Sequence, residues 1–417
     1  MSRIHPQSHR QNRTICLPLP KESYEQVIQD ASQFRVILDV LIEQHVELFP
    51  IEILGGYRMK EIKVSKKLPL SLRRIVIGRI SFTIRPSFVM PYMTGWTAAT
   101  EHPLFLRKFA VPFWALSHVF GQSPMYWYRL ESALGRNSVV GTTVKAPEKL
   151  PEHLSADEKH SWLQGQKVYV ATTVGQHCIL GASIAEEASE AGLMQAYGIF
   201  KQEAQQLLPD YQPQSVNTDG WQATQAVWKV LFPLVTLIQC FLHVFIKIRD
   251  RSQKKHPDLF QEIATRLWEA YRAPNKQTFA QRVRRLHEWG LHHSLPDPLL
   301  QPLEKLRRHR KSFSQAYDLP QAHRTSNMLD RLLQRMDRHL FSTQYFHGKL
   351  PVAELNIRAW ALLYNFAPSN PWTQKKHQGL RSPAERLNGF RYHDNWLQNL
   401  LVSASLGGSY APPLNSG

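Results

Sequence analysis

The 417-residue sequence predicts an α/β fold: a mixed sheet flanked by helices, interrupted by an all-α insertion and preceded by a separate basic N-terminal region. Three observations carry that expectation. Residues 151–250 switch between alternating and helical apolar patterning in the order β-β-β-α-β-α-β. Residues 250–320 then lose β character and read as helical and basic. Charge is also segregated along a chain whose net charge is +18. Residues 51–150 hold 15 Lys/Arg against 5 Asp/Glu, 151–250 hold 6 against 10, 251–330 hold 15 against 8, and 331–417 hold 10 against 4. Charge serving solubility alone would not be sorted in this way.

From the N-terminus, 21–47 place Val27, Ala31, Phe34, Leu38 and Leu41 at helical spacing and stop near Pro50. Between Arg58 and Tyr92 the chain turns strand-like and dense in Lys60, Lys63, Lys66, Lys67, Arg73, Arg74, Arg79 and Arg85. Two readings stand for this part of 1–100: a β-rich module that contacts DNA, or a hairpin with a solvated charged face. Residues 112–135, within a 101–150 segment, read as helix-turn-helix. An amphipathic helix starts at Phe113, Gly121-Gln122-Ser123 turns, and Pro124 opens a second helix. That helix would offer Tyr126, Tyr128 and Arg129 to a major groove.

The first part of the core, 151–250, begins with strands at 154–157, 167–174 and 178–184. A helix over 189–208 puts Leu193, Ala196, Tyr197, Phe200 and Ala204 on one face. A short strand ends at Asp219 beside Gly220, a helix runs to about Lys229, and a fifth strand covers 234–240. The insertion, 251–320, carries Trp268 and Trp289 with Arg282, Arg284, Arg285, Lys305, Arg307, Arg308, Arg310 and Lys311. In 321–417 a helix over 327–340 brings in Asp330, bordered by Arg324, Arg331, Arg335 and Arg338. The closing Trp360, Trp372, Tyr392 and Trp396 are expected in core and subunit contacts, and 406–417 as a frayed tail.

A carboxylate at a strand end beside a Gly can hold a divalent ion, because the backbone is free to turn away from it. Asp219 has that setting, and Asp157 ends the first predicted strand. Four segments frame the acids: Ala156-Asp157-Glu158-Lys159-His160, Val216-Asn217-Thr218-Asp219-Gly220-Trp221, Cys240-Phe241-Leu242-His243, and Arg324-Thr325-Ser326-Asn327-Met328-Leu329-Asp330-Arg331. On these the chain resembles the DDE/D transposases of bacterial insertion sequences over most of its length. That resemblance implies a ribonuclease-H-like core with acids on its first and fourth strands and on a late helix, here Asp157, Asp219 and Asp330. It also implies a helical domain interrupting the core before that helix. The sequence departs at the third acid, where related enzymes often carry Glu and this chain has Asp330. Aspartate is one methylene shorter, so its helix must sit closer. Asp337, seven residues on, is the fallback, as Glu158 is for Asp157 if the strand register differs.

The chemistry so implied uses Mg²⁺ or Mn²⁺, two ions about 3.5–4 Å apart, to cut a phosphodiester and transfer a strand. The partners are double-stranded DNA, as element ends and target, and a homo-oligomer of at least two chains. Lys63, Lys66, Lys67, Arg73, Arg74, Tyr126, Arg129, Arg284, Arg285, Arg307, Arg308 and Arg324 are the expected DNA contacts. An inserted Trp stacking on a flipped base is a further reading, against the simpler one of core. Cys240 and His243 are two potential zinc ligands without a second pair, so a structural role in packing is expected of them. A DNA-binding protein without activity and a structure-specific nuclease on the same core are the alternatives.

Three cysteines cannot build a disulfide framework, which suits a reducing, cytoplasmic and nucleoid-associated setting. The first ten residues lack a secretory hydrophobic stretch. Residues 230–246 contain no formal charge apart from any on His243, but they are short for a bilayer and interrupted by Pro233 and Gln239. A buried strand running into a helix is expected there, and no membrane partner.

Overall fold

A computed structural model describes residues 12–408. The expectations for the first ten residues and for 409–417 lie outside the described residues; Leu406–Gly408, expected as the start of a frayed tail, are instead packed, with the Ser138 amide donating to the Gly407 carbonyl at 2.8 Å. Within them the fold is mixed α/β, built on two sheets.

The first sheet contains β1 (Thr14–Leu17), β2 (Tyr57–Val64), β3 (Ser71–Ile77) and β4 (Ile80–Pro86), in the order β1-β4-β3-β2. Between β1 and β2 lie α1 (Tyr24–Gln29) and α2 (Ala31–Gln44), the latter capped by the Asp30 carboxylate, which accepts from the Ser32 and Gln33 amides. Phe34, Leu38 and Leu41 line its buried face. Alternation then decides the fate of the basic residues here. Along β3, Arg73 points inward and is buried, while Arg74 points out to Glu61 at 2.6 Å.

Three helices connect this sheet to the second: α3 (Thr97–Arg107), α4 (Phe113–Phe120) and α5 (Pro124–Leu134), followed by the short α6 (Val139–Thr143). The turn between α4 and α5 uses Gly121 and Gln122 at positive φ, and Trp127 Nε1 donates to the Gly121 carbonyl at 2.9 Å. Arg107 and Glu131 form an ion pair at 2.6 Å with both side chains wholly buried.

The second sheet contains β5 (His153–Leu163), β6 (Gln166–Gly175), β7 (Cys178–Ala185), β8 (Ser215–Thr218) and β9 (Thr236–Gln239), in the order β7-β6-β5-β8-β9. β5, β6 and β7 form an antiparallel meander, whereas β8 and β9 run parallel to β5. Both hairpins are two-residue turns, Gln164-Gly165 and Gln176-His177, with positive φ at each position. Such turns match the right-handed twist of the strands they join. β5 extends well past the four residues expected of it.

α7 (Glu190–Leu207) and α8 (Gln222–Leu231) cover one face of this sheet. Leu193, Phe200 and Leu207 of α7 are buried there, and each contributes about 1.5–3 kcal/mol relative to exposure. After β9 come α9 (Phe241–Ser252), α10 (Pro257–Tyr271), α11 (Lys276–His292), α12 (Asp297–Arg308) and α13 (Arg310–Ser314), which enclose a core of their own around Phe241, Ile263, Leu267, Phe279 and Leu303. Residues 230–246 thus divide among α8, β9 and α9, and no helix is long and apolar enough to cross a membrane among the described residues.

α14 (Asn327–Ser342) and α15 (Leu350–Phe366) then cover the other face of the second sheet. α16 (Pro371–Lys376), α17 (Pro383–Asn388) and α18 (Trp396–Ser403) end the described chain. α18 and the far half of α15 pack into the first sheet's core, so Leu397, Leu400 and Leu401 share it with Ile15, Ile75 and Ile84. Arg107 also reaches His339 of α14 at 3.2 Å, and the other nitrogen of that ring meets Asn356 Oδ1 of α15 at 3.2 Å. Burial, then the Arg107 charge, push the His339 imidazole down to about 3, so the ring in this contact is neutral.

Candidate metal centre

The parallel pairing of β5 with β8 aligns Ser155 with Asn217. Asp157 lies two residues further along β5 and Asp219 directly follows β8, close enough for the charge of Asp219 to act on Asp157. Asp219 follows the last residue of β8, and its Oδ1 accepts from the Trp221 amide at 2.7 Å at the head of α8. Gly220 between them has φ +90°, and a Cβ there would collide with the Gln239 side-chain amide. Glycine is therefore favoured there by its positive φ, which lets the chain turn away from β8 at Asp219.

Asp330 arrives on the first turn of α14. Its position is fixed by Ser326, whose hydroxyl donates to Asp330 Oδ2 at 2.8 Å and whose amide donates to Cys240 Sγ at 3.1 Å. Asn217 Nδ2 holds the His323 carbonyl at 2.9 Å, and the Phe241 amide holds that of Arg324 at 3.2 Å. The strand ends of β8 and β9 thus tie down the approach to α14. Asp330 needs no longer side chain, because the helix itself is drawn in.

Asp157, Asp330 and His243 bring ligand atoms within 4.8 Å of one another. His243 is the correction here. The sequence suggested packing under the insertion for it, as for Cys240; the structure puts the imidazole on the first turn of α9 among the acids, with a buried Nδ1 that has no hydrogen-bond partner. Cys240 is buried and serves Ser326, in keeping with a structural role. Asp219 lies beside this group without belonging to it, and its charge acts on Asp157.

The electrostatics suit a cation. Burial first, then the Asp219 charge and more weakly that of Asp330, push the Asp157 carboxyl up to about 6. Burial opposes charge on His243 as well, but Cys240 and then Asp157 and Asp219 outweigh it and hold the imidazole up to about 9. Glu158 faces the other way, between α7 and α8, and accepts at 2.7 Å from both Tyr197 Oη and Thr224 Oγ1. Asp337 pairs with Lys159 at 2.8 Å, farther along the same strand and helix. Neither fallback carboxylate belongs to the cluster.

Of the expected DNA contacts, Lys63, Lys66, Lys67, Arg129, Arg284, Arg285 and Arg308 are exposed. Arg307 and Arg308 both hold Glu304, and Arg284 pairs with Glu288 at 3.5 Å. Tyr126 donates to the Thr94 carbonyl at 3.1 Å. Two arginines are corrected. Arg73 is buried, donates to the Ile28 and Gln29 carbonyls and lies over the Phe34 ring at 5.4 Å. Arg324 lies over the Tyr271 and Tyr317 rings at 4.5 and 4.3 Å and donates to both residues. Both are internal braces, because each guanidinium has taken carbonyl and ring partners inside the protein. Trp268 packs against Phe245 and Phe241, and Trp289 sits under Arg266 at 4.7 Å.

A comparison with models of known protein families finds no match to this chain, and a comparison with curated proteins finds none either.

Proposed function

We propose that this protein is a metal-dependent DNA transposase of the DDE/D kind, cutting and joining strands at a ribonuclease-H-like core. The observation that carries this reading is the approach of Asp157 and Asp330 to His243 within 4.8 Å, with Asp219 near enough for its charge to act on Asp157. The strand order β7-β6-β5-β8-β9, an antiparallel meander continued by two parallel strands, supports the core assignment. So does the self-contained helical body between β9 and α14.

The donor set fits a hard divalent cation: carboxylate oxygens with one imidazole, in a site whose like charges raise Asp157. Asp157, Asp330 and His243 would hold it, with Asp219 beside them. Mg²⁺ or Mn²⁺ held by these residues would supply charge neutralisation at a phosphodiester and lower the pKa of a water or 3′-hydroxyl nucleophile. The protein's own part is placement. Gly220 frees Asp219, Ser326 aims Asp330, and His243 offers a nitrogen or, when protonated, a charge to a phosphate oxygen.

The DNA partner is supported by the net charge of +18 and by the exposed Lys63, Lys66 and Lys67 at the edge of the first sheet. α4 carries no formal charge apart from any on His118, and on α5 Glu131 is buried, so Arg129 is the only exposed charge there. End recognition is accordingly assigned to the N-terminal region as a whole, with the α4–α5 pair as its helix-turn-helix candidate. Two DNA ends must be joined, so the working form is at least a dimer.

The test uses duplexes made from the DNA flanking the coding sequence. The wild-type protein nicks them in Mg²⁺, and Asp219→Asn binds them without nicking. A variant that cuts as well as the wild type would remove Asp219 from the reaction.

A further inference from the structure

The side of α14 turned away from Asp330 faces a second group of charges. Lys108, at the end of α3, donates from Nζ to the Ala367 and Pro368 carbonyls at 2.5 and 2.8 Å. Its ammonium lies 5.8 Å from the Tyr364 ring centre, and the Arg335 guanidinium of α14 lies 5.4 Å from the same ring. Arg386 of α17, half-buried, donates to Ser369 Oγ at 3.1 Å and acts electrostatically on both Lys108 and Tyr364. Three cations from three elements thus converge around one tyrosine.

Among the described residues none of the three forms an ion pair. The carboxylate that Arg386 does feel, Glu385, is already held by Arg391 at 3.5 Å and by the Arg381 amide at 2.7 Å. Burial, then Arg335 and Arg386, push the Lys108 ammonium down to about 7. Gathering like charges without a counter-charge costs free energy, and an anion would remove that cost. An ammonium has three protons, and two of those on Lys108 are used, which leaves one to donate.

The basin is also placed for a particular anion. His177, in the β6–β7 turn, donates its amide to Met328 Sδ at 3.2 Å, two residues before Asp330. Burial and the charge of Arg386 depress the His177 imidazole, so the turn borders the basin as well. The basin and the acid cluster therefore flank one helix, roughly 10–12 Å across with its side chains. The exposed Arg331 and Arg338 lie along the ridge between them.

We propose that Lys108, Arg335 and Arg386 bind a backbone phosphate of the DNA strand that is cut at the acid cluster, more than one nucleotide from the scissile bond. This deepens the reading of the chain as a DNA-cutting enzyme and rests on it. The site grips charge without reading sequence, because Lys108, Arg335 and Arg386 supply cationic donors from three elements and no contact to a base.

Duplex binding to the full chain is measured by fluorescence anisotropy across a salt series in EDTA, so that catalysis plays no part. For the wild type, log K falls linearly with log salt. Arg335→Gln and Arg386→Gln are each expected to lower that slope by about 0.9, one contact's worth, while Glu158→Gln, on the other face of the sheet, keeps the wild-type slope. Arg335 is exposed, so its variant reports even where Arg386→Gln fails to fold. Unchanged slopes in a wild type that binds duplex would overturn the phosphate site and leave the cleavage reading standing. Duplex that binds with the expected slopes but is never nicked in Mg²⁺ would sink the cleavage reading and, with it, the placing of this phosphate on a strand that is cut. In a parallel arm, inorganic phosphate that raises the melting temperature of wild type but not of Arg335→Gln, with unchanged duplex slopes, assigns the basin to a free phosphate and overturns the DNA assignment.

Discussion

The two faces of the second sheet hold neighbouring carboxyls under opposite conditions. On the face covered by α7 and α8, Glu158 meets the hydroxyls of Tyr197 and Thr224, each at 2.7 Å. On the face covered by α14, Asp157 meets two more carboxylates and an imidazole. Burial raises both, Glu158 to about 7 and Asp157 to about 6. What differs is the remedy. A carboxyl among hydroxyls is satisfied by keeping its proton, whereas one among other acids is relieved when a cation replaces the proton. Adjacent positions on one strand therefore serve, on one side, the interior and, on the other, a cluster able to take up a cation.

The largest contrast should appear in cleavage. Asp157→Asn is expected to lower nicking by more than the roughly 100-fold that loss of an outer-sphere partner costs a metal site. Glu158→Gln, which keeps both hydroxyl contacts, should stay within about tenfold of wild type by the same scale. Equal losses in a gel assay would erase the distinction between the faces. Metal binding gives a second contrast. Mn²⁺ at about a hundred times its Kd should stabilise the wild type and Glu158→Gln by about 2.7 kcal/mol, and Asp157→Asn by much less, read from melting curves. His243→Ala sharpens the picture on its own side, with metal affinity expected to fall about 10–100-fold and nicking restored at higher Mn²⁺. An unchanged affinity would return His243 to packing.

The smallest expected effect is on stability with pH, in EDTA. The folded-state pKa of Glu158 is raised from 4.5 to about 7. Its favourable contribution is thus complete below about 4.5 and lost as pH rises through about 7. Glu158→Gln should flatten the melting-temperature profile over that interval. A profile identical to wild type would show that the face is wetter than described.

Much of the second sheet is written in local pattern. β-Branched runs at 167–174 and 178–184 coincide with β6 and β7, and the apolar face read for 189–208 is the buried face of α7. His243 was missed because Cys240 and His243 were weighed as a zinc pair. The useful signal was positional: the strand before His243 lies parallel to the one before Asp219, so both residues leave the same sheet edge. That edge, at the carboxyl ends of parallel strands, is where such sheets bind ligands. Arg73 was misread for a different reason. A count of charges from 58 to 92 ignores alternation, and one of two adjacent arginines on a strand must point inward. The Lys108–Arg335–Arg386 basin was illegible, since its members come from three elements brought together only by long-range packing.

The first sheet buries its inner side against residues supplied by α15 and α18, close to the far end of the described chain. During synthesis its four strands therefore leave the ribosome long before the side chains that cover them, with Ile75, Ile84 and Phe88 waiting for Leu397 and Leu401. A stop ahead of Trp396 would remove more than a few surface residues. It would strip the cover from the first sheet, made well before it, and leave an apolar surface open to aggregation.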